Sequence, residues 1–283
     1  MMRIRYGSGL YYLKKLFTMK NYPLLFLAFL LLMNCAGVDS AKNHSKKITI
    51  YTIGDSTMAN KPDPDKNPER GWVQVLPQFF NENVTVKNHA VNGRSTKSFR
   101  ELGHWKKVVD SLQPGNYLLI QFGHNDGKET DPARYTNPQT AYRYNLMAYI
   151  EEARAKGAIP ILCSSIARRK FNKEGVLLDA HGNYTLIARL VAQEMKVPFV
   201  DMQYLTEKME VKFGVEGSKK LHLHFEPNEN TYVPKGLDDN THLSVLGATE
   251  VAKLFVQELK KQNLPLANYL KKETEPSTQK NEL

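Results

Sequence analysis

The 283 residues carry 39 Lys plus Arg against 29 Asp plus Glu, 41% hydrophobic residues, 17 Gly, 14 Pro and two Cys. Such a chain is too apolar and too mixed in charge to be disordered, and no Gly-X-Y or heptad period runs through it. Two cysteines exclude a disulfide scaffold and a four-thiolate zinc site, while the length allows one large core or two smaller domains.

The first 34 residues hold five basic and no acidic side chains and end in the apolar run Leu24 to Met33. That run is shorter than the roughly 20 residues that span a bilayer core, but it suits the hydrophobic segment of an export signal behind a basic head. Residues 1–34 therefore read as a signal peptide, which places the mature protein in the periplasm or on the surface of a bacterium. Leu32-Met33-Asn34-Cys35-Ala36-Gly37 resembles a lipoprotein cleavage site with lipid on Cys35, and ordinary cleavage between Ala36 and Ala41 is the alternative. Residues 35–46 read as a linker, 47–270 as a single domain and 271–283, with little to bury, as a flexible tail. Without the signal the balance falls to 34 basic against 29 acidic residues. This mild positive excess suits an anionic polysaccharide, and no basic block interleaved with aromatics points to nucleic acid.

From Lys47 onward, short β-branched runs alternate with helical patterns, which predicts an α/β fold with a five-stranded parallel sheet between helices. The strands are Ile48 to Ile53, Val84 toward Ala90, Tyr117 to Gln121, Ile159 to Leu162 and Val197 to Val200. Helical spacing relates Tyr142, Leu146, Tyr149, Ile150 and Ala153, and again Leu186, Leu190 and Val191. The last helix begins at the cap Ser244 and carries the stripe Val245, Ala248, Ala252, Phe255 and Leu259. Cys163 falls in an apolar run and is expected to be a small buried hydrophobe.

Four segments fall at carboxyl ends of strands or just before the last helix, where open parallel sheets gather ligands. The first strand runs into Gly54-Asp55-Ser56-Thr57 and the second into Asn92-Gly93-Arg94. The third runs into Gly123-His124-Asn125-Asp126, and Asp239-Asn240-Thr241-His242 precedes the last helix. A serine hydroxyl needs a positioned base near neutral pH, and imidazole has the right proton affinity. His242 is thus expected to take the Ser56 proton, with Asp239, three residues away in a loop, holding the ring; Asp238 is the alternative partner. Backbone N–H groups of Ser56 and Gly93 and the Asn125 amide are expected to meet the oxyanion. Asp55 reads as a structural hydrogen bonder under the turn, and His124 and Asp126 as residues that shape the Asn125 loop.

These blocks, in this order, resemble those of the SGNH (GDSL-type) hydrolases. The similarity is closer to the rhamnogalacturonan acetylesterase branch, through Gly54 to Ala59, Gly93-Arg94-Ser95, Ile120 to Asp126, Arg154 to Pro160, and Asp239 to His242 with Gly247-Ala248. The resemblance covers roughly residues 47 to 262. It implies a flavodoxin-like three-layer α/β/α sandwich and cofactor-free removal of O-acetyl groups from pectic backbones through an acetyl-serine. Thr57 stands where many members have Leu, in keeping with the esterase branch. Arg168 and Arg169 follow the fourth strand, and Arg94 adjoins Gly93; each is a candidate for binding a galacturonate carboxylate. Trp72 and Trp105 lie in helical patterns and are expected in the core. His222 and His224 share one face of an extended segment, but without a third ligand nearby no metal site is expected. Acetylated xylan as substrate, and a noncatalytic glycan-binding protein, are the rival readings.

Overall fold

The computed structural model describes residues 46–272. The segment read as an export signal (1–34), Cys35, all but the last residue of the segment read as a linker (35–46) and, of the segment read as a tail, residues 273 onward lie outside the described residues.

Five parallel strands form the central sheet: β1 (Ile48–Gly54), β3 (Val84–Asn88), β4 (Tyr117–Gln121), β5 (Ile159–Cys163) and β6 (Phe199–Val200). Their order across the sheet is β3-β1-β4-β5-β6. The chain therefore reverses direction of winding beside β1, which makes the β1 carboxyl end a topological switch point. Every residue of β4 is buried, as expected of a central strand covered on both faces.

Alternation along the strands divides the core into two. Ile48, Ile50, Leu119 and Ile161 face one side, where Trp72, Val251 and Phe255 pack. Ile53, Leu118, Ile120 and Leu162 face the other, against Phe99, Tyr149 and Ile187. The first layer is built from α1 (Trp72–Val75), α6 (Met202–Gly217) and α7 (Val245–Lys261). The second comprises α2 (Thr96–Glu101), α3 (His104–Val109), α4 (Arg143–Ala155) and α5 (Asn183–Met195). The result is the three-layer α/β/α sandwich with a five-stranded parallel sheet that the sequence predicts.

Three details differ from the sequence reading. In α5 the buried face is Ile187, Ala188, Val191 and Ala192, whereas Leu186 and Leu190 are 44% and 41% exposed. Two apolar stripes run along this helix at the same spacing, and only contact with the sheet selects between them. The fifth strand pairs only over Phe199–Val200. A second sheet, absent from the sequence reading, is antiparallel with order β2-β8-β7, where β2 is Glu69–Arg70, β7 His222–Phe225 and β8 Leu237–Ser244. Among the described residues no helix is long and apolar enough to cross a membrane.

Candidate active site

The site begins where β1 ends. A Cβ on Gly54 would lie 2.3 Å from Met58 Sδ and 2.7 Å from the Gln121 carbonyl oxygen, so only glycine lets the chain turn this close to β4. Beyond it, the main-chain oxygen of Asp55 accepts from Met58 and Ala59 N–H. Asp55 Oδ1 accepts from the N–H and hydroxyl of Thr57, both at 2.9 Å. Gln121 Nε2 donates to Thr57 Oγ1 while Gln121 Oε1 accepts from Trp72 Nε1. This buried chain of bonds fixes the turn that presents half-buried Ser56. Burial raises the Asp55 pKa against the Thr57 hydrogen bonds and the nearby Arg168 and His242, consistent with a structural carboxyl.

The β3 segment continues alongside β1 as His89 N–H donates to Thr52 O and Val91 N–H to Gly54 O. It then turns at Gly93, whose φ of +71° is left-handed and favours a residue without Cβ. From the end of β4, Asn125 Nδ2 donates to Arg94 O at 3.1 Å and ties the two turns together. Asp126 holds them from beneath, accepting from Thr96 N–H, Thr96 Oγ1 and Thr136 Oγ1. Burial outweighs those bonds and pushes its pKa up to about 7. Among the described residues, neither Ser56 N–H nor Gly93 N–H donates to a protein acceptor, so both are open to a developing oxyanion.

Asp239 and His242 lie within β8 and not in a loop. The pairing of β7 with β8 jumps from His222 opposite Leu243 to Leu223 opposite Asp239. Asn240, Thr241 and His242 therefore arch out of the ladder as a bulge, which re-aims side chains next to a site. Across this arch Asp239 Oδ2 meets His242 Nδ1 at 2.7 Å, and Oδ1 accepts from Thr241 and His242 N–H at 2.7 and 2.9 Å. Burial opposes ionisation of Asp239, but the imidazole bond and the two backbone donors outweigh it and hold the carboxyl below its usual range. On the far side of the ring, His242 Nε2 lies 2.9 Å from Ser56 Oγ, across 186 residues of sequence. Asp238, the alternative partner, bonds His224 instead, with Oδ1 2.9 Å from His224 Nδ1.

The bulge is gripped by residues that follow β5. Arg168 donates to Thr241 Oγ1 at 2.7 Å and to His124 O at 3.3 Å, linking the His242 and Asn125 segments. Arg169 departs from the carboxylate-binding expectation: it is 9% exposed and its guanidinium bonds Ser218 Oγ, Asn240 Oδ1 and Val215 O. Its own N–H also donates to Asn240 O, so it clamps the bulge. Arg94 Nε donates to Asn92 O, and with Gly93 and Arg134 it lines a cleft of about 240 Å³. Trp72 and Trp105 are buried. Sequence reasoning missed the role of His222. Its Nδ1 faces the His242 carbonyl oxygen at 3.1 Å and its Nε2 faces Glu210 Oε1 at 2.7 Å. Glu210 lies in a helix that the sequence reading did not find, so no local signal marked the pair.

The arrangement can perform acyl transfer. The Asp239 carboxylate facing Nδ1 keeps a proton on that nitrogen, which leaves Nε2 able to accept a proton from a serine. The N–H groups of Ser56 and Gly93 and the Asn125 amide are the candidate donors for a tetrahedral oxygen, each such donor being worth about 3 kcal/mol.

A doubly wound sheet presenting serine, histidine and aspartate in this geometry defines a hydrolase of the serine type. The sequence profile of the GDSL-like Lipase/Acylhydrolase family matches residues 52–249, and the chain belongs to that family. It is a carboxylic ester hydrolase. It is 40% identical over 225 residues, 80% of this chain and 95% of the relative, to rhamnogalacturonan acetylesterase RhgT of Bacillus subtilis. It is 36% identical over 224 residues, 79% of this chain and 98% of the relative, to a probable rhamnogalacturonan acetylesterase, YesY, of the same species. The crystal structure of B. subtilis YxiM matches with a TM-score of 0.67 at 27% identity, covering 78% of this chain and 58% of that one.

Proposed function

We propose that the chain is an exported carbohydrate acetylesterase that removes O-acetyl groups from pectic rhamnogalacturonan through an acetyl-Ser56 intermediate. The observation that carries the chemistry is the 2.9 Å contact between His242 Nε2 and Ser56 Oγ, with Asp239 behind the ring. The substrate class is supported by the two relatives bearing that activity in their names, and export by the basic head and apolar run of residues 1–34. Lipid on Cys35 would anchor the enzyme to a membrane.

In the first half-reaction His242 Nε2 takes the Ser56 proton as Oγ bonds the acetyl carbon. The carbonyl electrons move to the oxygen, which the Ser56, Gly93 and Asn125 donors hold. The bond from carbon to the sugar oxygen then breaks, and the His242 proton goes to that oxygen. Water repeats the sequence: His242 takes its proton, the new bond forms, Oγ leaves and recovers the proton, and acetate departs. Asp239 stays ionised throughout and stabilises the imidazolium.

Acetate release from a panel of acetylated rhamnogalacturonan, homogalacturonan and xylan tests the reading. Release fastest from rhamnogalacturonan, and abolished by Ser56→Ala in a folded protein, is the expected result. Fastest release from xylan overturns the substrate class, and undiminished activity of the variant overturns the mechanism.

A further inference from the structure

Beside the Asn125 turn lies a cleft of about 430 Å³ whose lining includes His124, Lys128, Arg168, Lys170, His181 and Tyr184, with no carboxylate. Two other clefts differ. The Gly93 cleft includes Glu101 and Asp131, and a cavity of about 800 Å³ along β7 and β8 carries Glu216, Glu226, Glu229 and Asp238. Two carboxylates near the cationic cleft already have partners. Asp131 pairs with Arg134 at 2.5 Å, and Asp179 accepts from His181 N–H, Gly182 N–H and Gln203 Nε2. Lys128 and Lys170 are exposed. Partial burial, together with Arg134 and Arg168, holds the Lys128 pKa below its ordinary value.

Two buried imidazoles form part of the lining. His124 and His181 are each 5% exposed, and His124 Nδ1 lies 3.1 Å from His181 Nε2. Burial keeps both rings neutral near pH 7, that of His181 titrating at about 4. His124 Nε2 and His181 Nδ1 have no hydrogen-bond partner among the described residues. In a neutral pair, whichever ring accepts the bond carries its own proton on its outer nitrogen. One N–H of the pair is therefore left without a strong acceptor beneath the cleft whichever tautomer pair is present.

We propose that this cleft is the subsite for the free carboxylate of a uronic acid in the ester-bearing glycan, with Lys128, Lys170 and Arg168 as its cations and the neutral His124–His181 pair as part of its wall. The assignment rests on the pectic reading of the function. Arg168 fixes its position relative to the chemistry, since one nitrogen bonds Thr241, next to His242, and another bonds the main chain of His124, next to Asn125. A carboxylate in the cleft would hold a neighbouring acetyl group in register with Ser56, and charge-assisted contacts to the two exposed ammonium groups favour an anionic over a neutral glycan.

The test compares wild type with the double substitution Lys128→Gln and Lys170→Gln. Three quantities are read: kcat/KM for acetylated galacturonan, kcat/KM for 4-nitrophenyl acetate, and inhibition of the latter by unacetylated oligogalacturonate or xylo-oligosaccharide. The ratio of the first kcat/KM to the second should fall about 10-fold in the variant, and rise back with Lys128→Arg and Lys170→Arg. Oligogalacturonate, unlike xylo-oligosaccharide, should inhibit the wild type and lose most of that inhibition in the variant. An unchanged ratio with unchanged inhibition places the carboxylate elsewhere and overturns the subsite even if the enzyme prefers pectin. Inhibition that depends on the lysines in an enzyme with no preference for pectin upholds the subsite and overturns the pectic reading alone.

Discussion

His222 Nδ1 donates to the main-chain oxygen of His242 at 3.1 Å, so one histidine of β7 positions the backbone of the other at the top of the β8 bulge. Because Nδ1 must carry a proton for that bond, His222 Nε2 and Glu210 Oε1, 2.7 Å apart, share a second one. Both side chains are almost fully buried, and a buried polar group left without its partner costs roughly 1–3 kcal/mol, more when it is charged. His222→Ala should therefore lower stability by about 3 kcal/mol in urea denaturation. It should also lower kcat about 10-fold with little change in KM, because the base would shift while the substrate surface stays intact. A kcat equal to wild type would show that the tether does not govern the ring.

The Asp239 carboxylate selects the His242 tautomer. Asp239→Asn can still accept from the two backbone N–H groups, but its amide would present N–H to Nδ1 and favour the proton on Nε2, the wrong nitrogen for a base. Steady-state assays with 4-nitrophenyl acetate should show kcat lower by about 1,000-fold or more, with the thermal midpoint within a few degrees of wild type. A loss under 10-fold would transfer the orienting role to another group.

Gly93 and Asn125 should differ in how they fail. Asn125→Ala removes a donor and should cost about 100-fold in kcat. Gly93→Ala meets open space, its nearest neighbour being Arg134 Nη1 at 3.8 Å, yet it must adopt φ of +71°. That conformation costs an L-residue about 1–2 kcal/mol, so stability should fall by that amount while kcat falls as the N–H is displaced. Equal stability of Gly93→Ala and wild type would contradict the left-handed turn.

The three strand-end blocks are legible in sequence because the chemistry demands particular residue types directly after particular strands. Ser56, Gly93 and Asn125 all follow runs whose β character is plain, and the sheet order brings their ends together. Burial of a charged side chain is not legible in this way. Arg168 and Arg169 are adjacent and chemically identical, yet only Arg169 meets Ser218, Val215 and Asn240, which come from distant parts of the chain. Likewise β8 is obscured by its own bulge, and α6 is interrupted by Gly214 at φ +71°. His222 shows an alternation with His224 that suits a ligand pair, whereas its partner Glu210 is found only once α6 packs behind it.

Asp126 makes stability depend on pH with a definite sign. Its folded-state pKa of about 7 lies above the ordinary 3.8. In this interval the folded chain keeps a proton that the unfolded chain has released, so the contribution is complete below the unfolded value and is lost as pH rises through about 7. Urea midpoints at about pH 5 and about pH 8 should fall more for wild type than for Asp126→Asn, which has no proton to lose. Identical pH dependence in the two proteins would remove Asp126 from this role.

Reaction of the enzyme with a fluorophosphonate, followed by intact mass and peptide mapping, bears most directly on whether Ser56 is activated by His242. Wild type should gain one adduct, on Ser56, while His242→Ala should label far more slowly and Ser56→Ala not at all. An adduct mapped to another residue, or labelling of wild type no faster than of His242→Ala, would contradict the account.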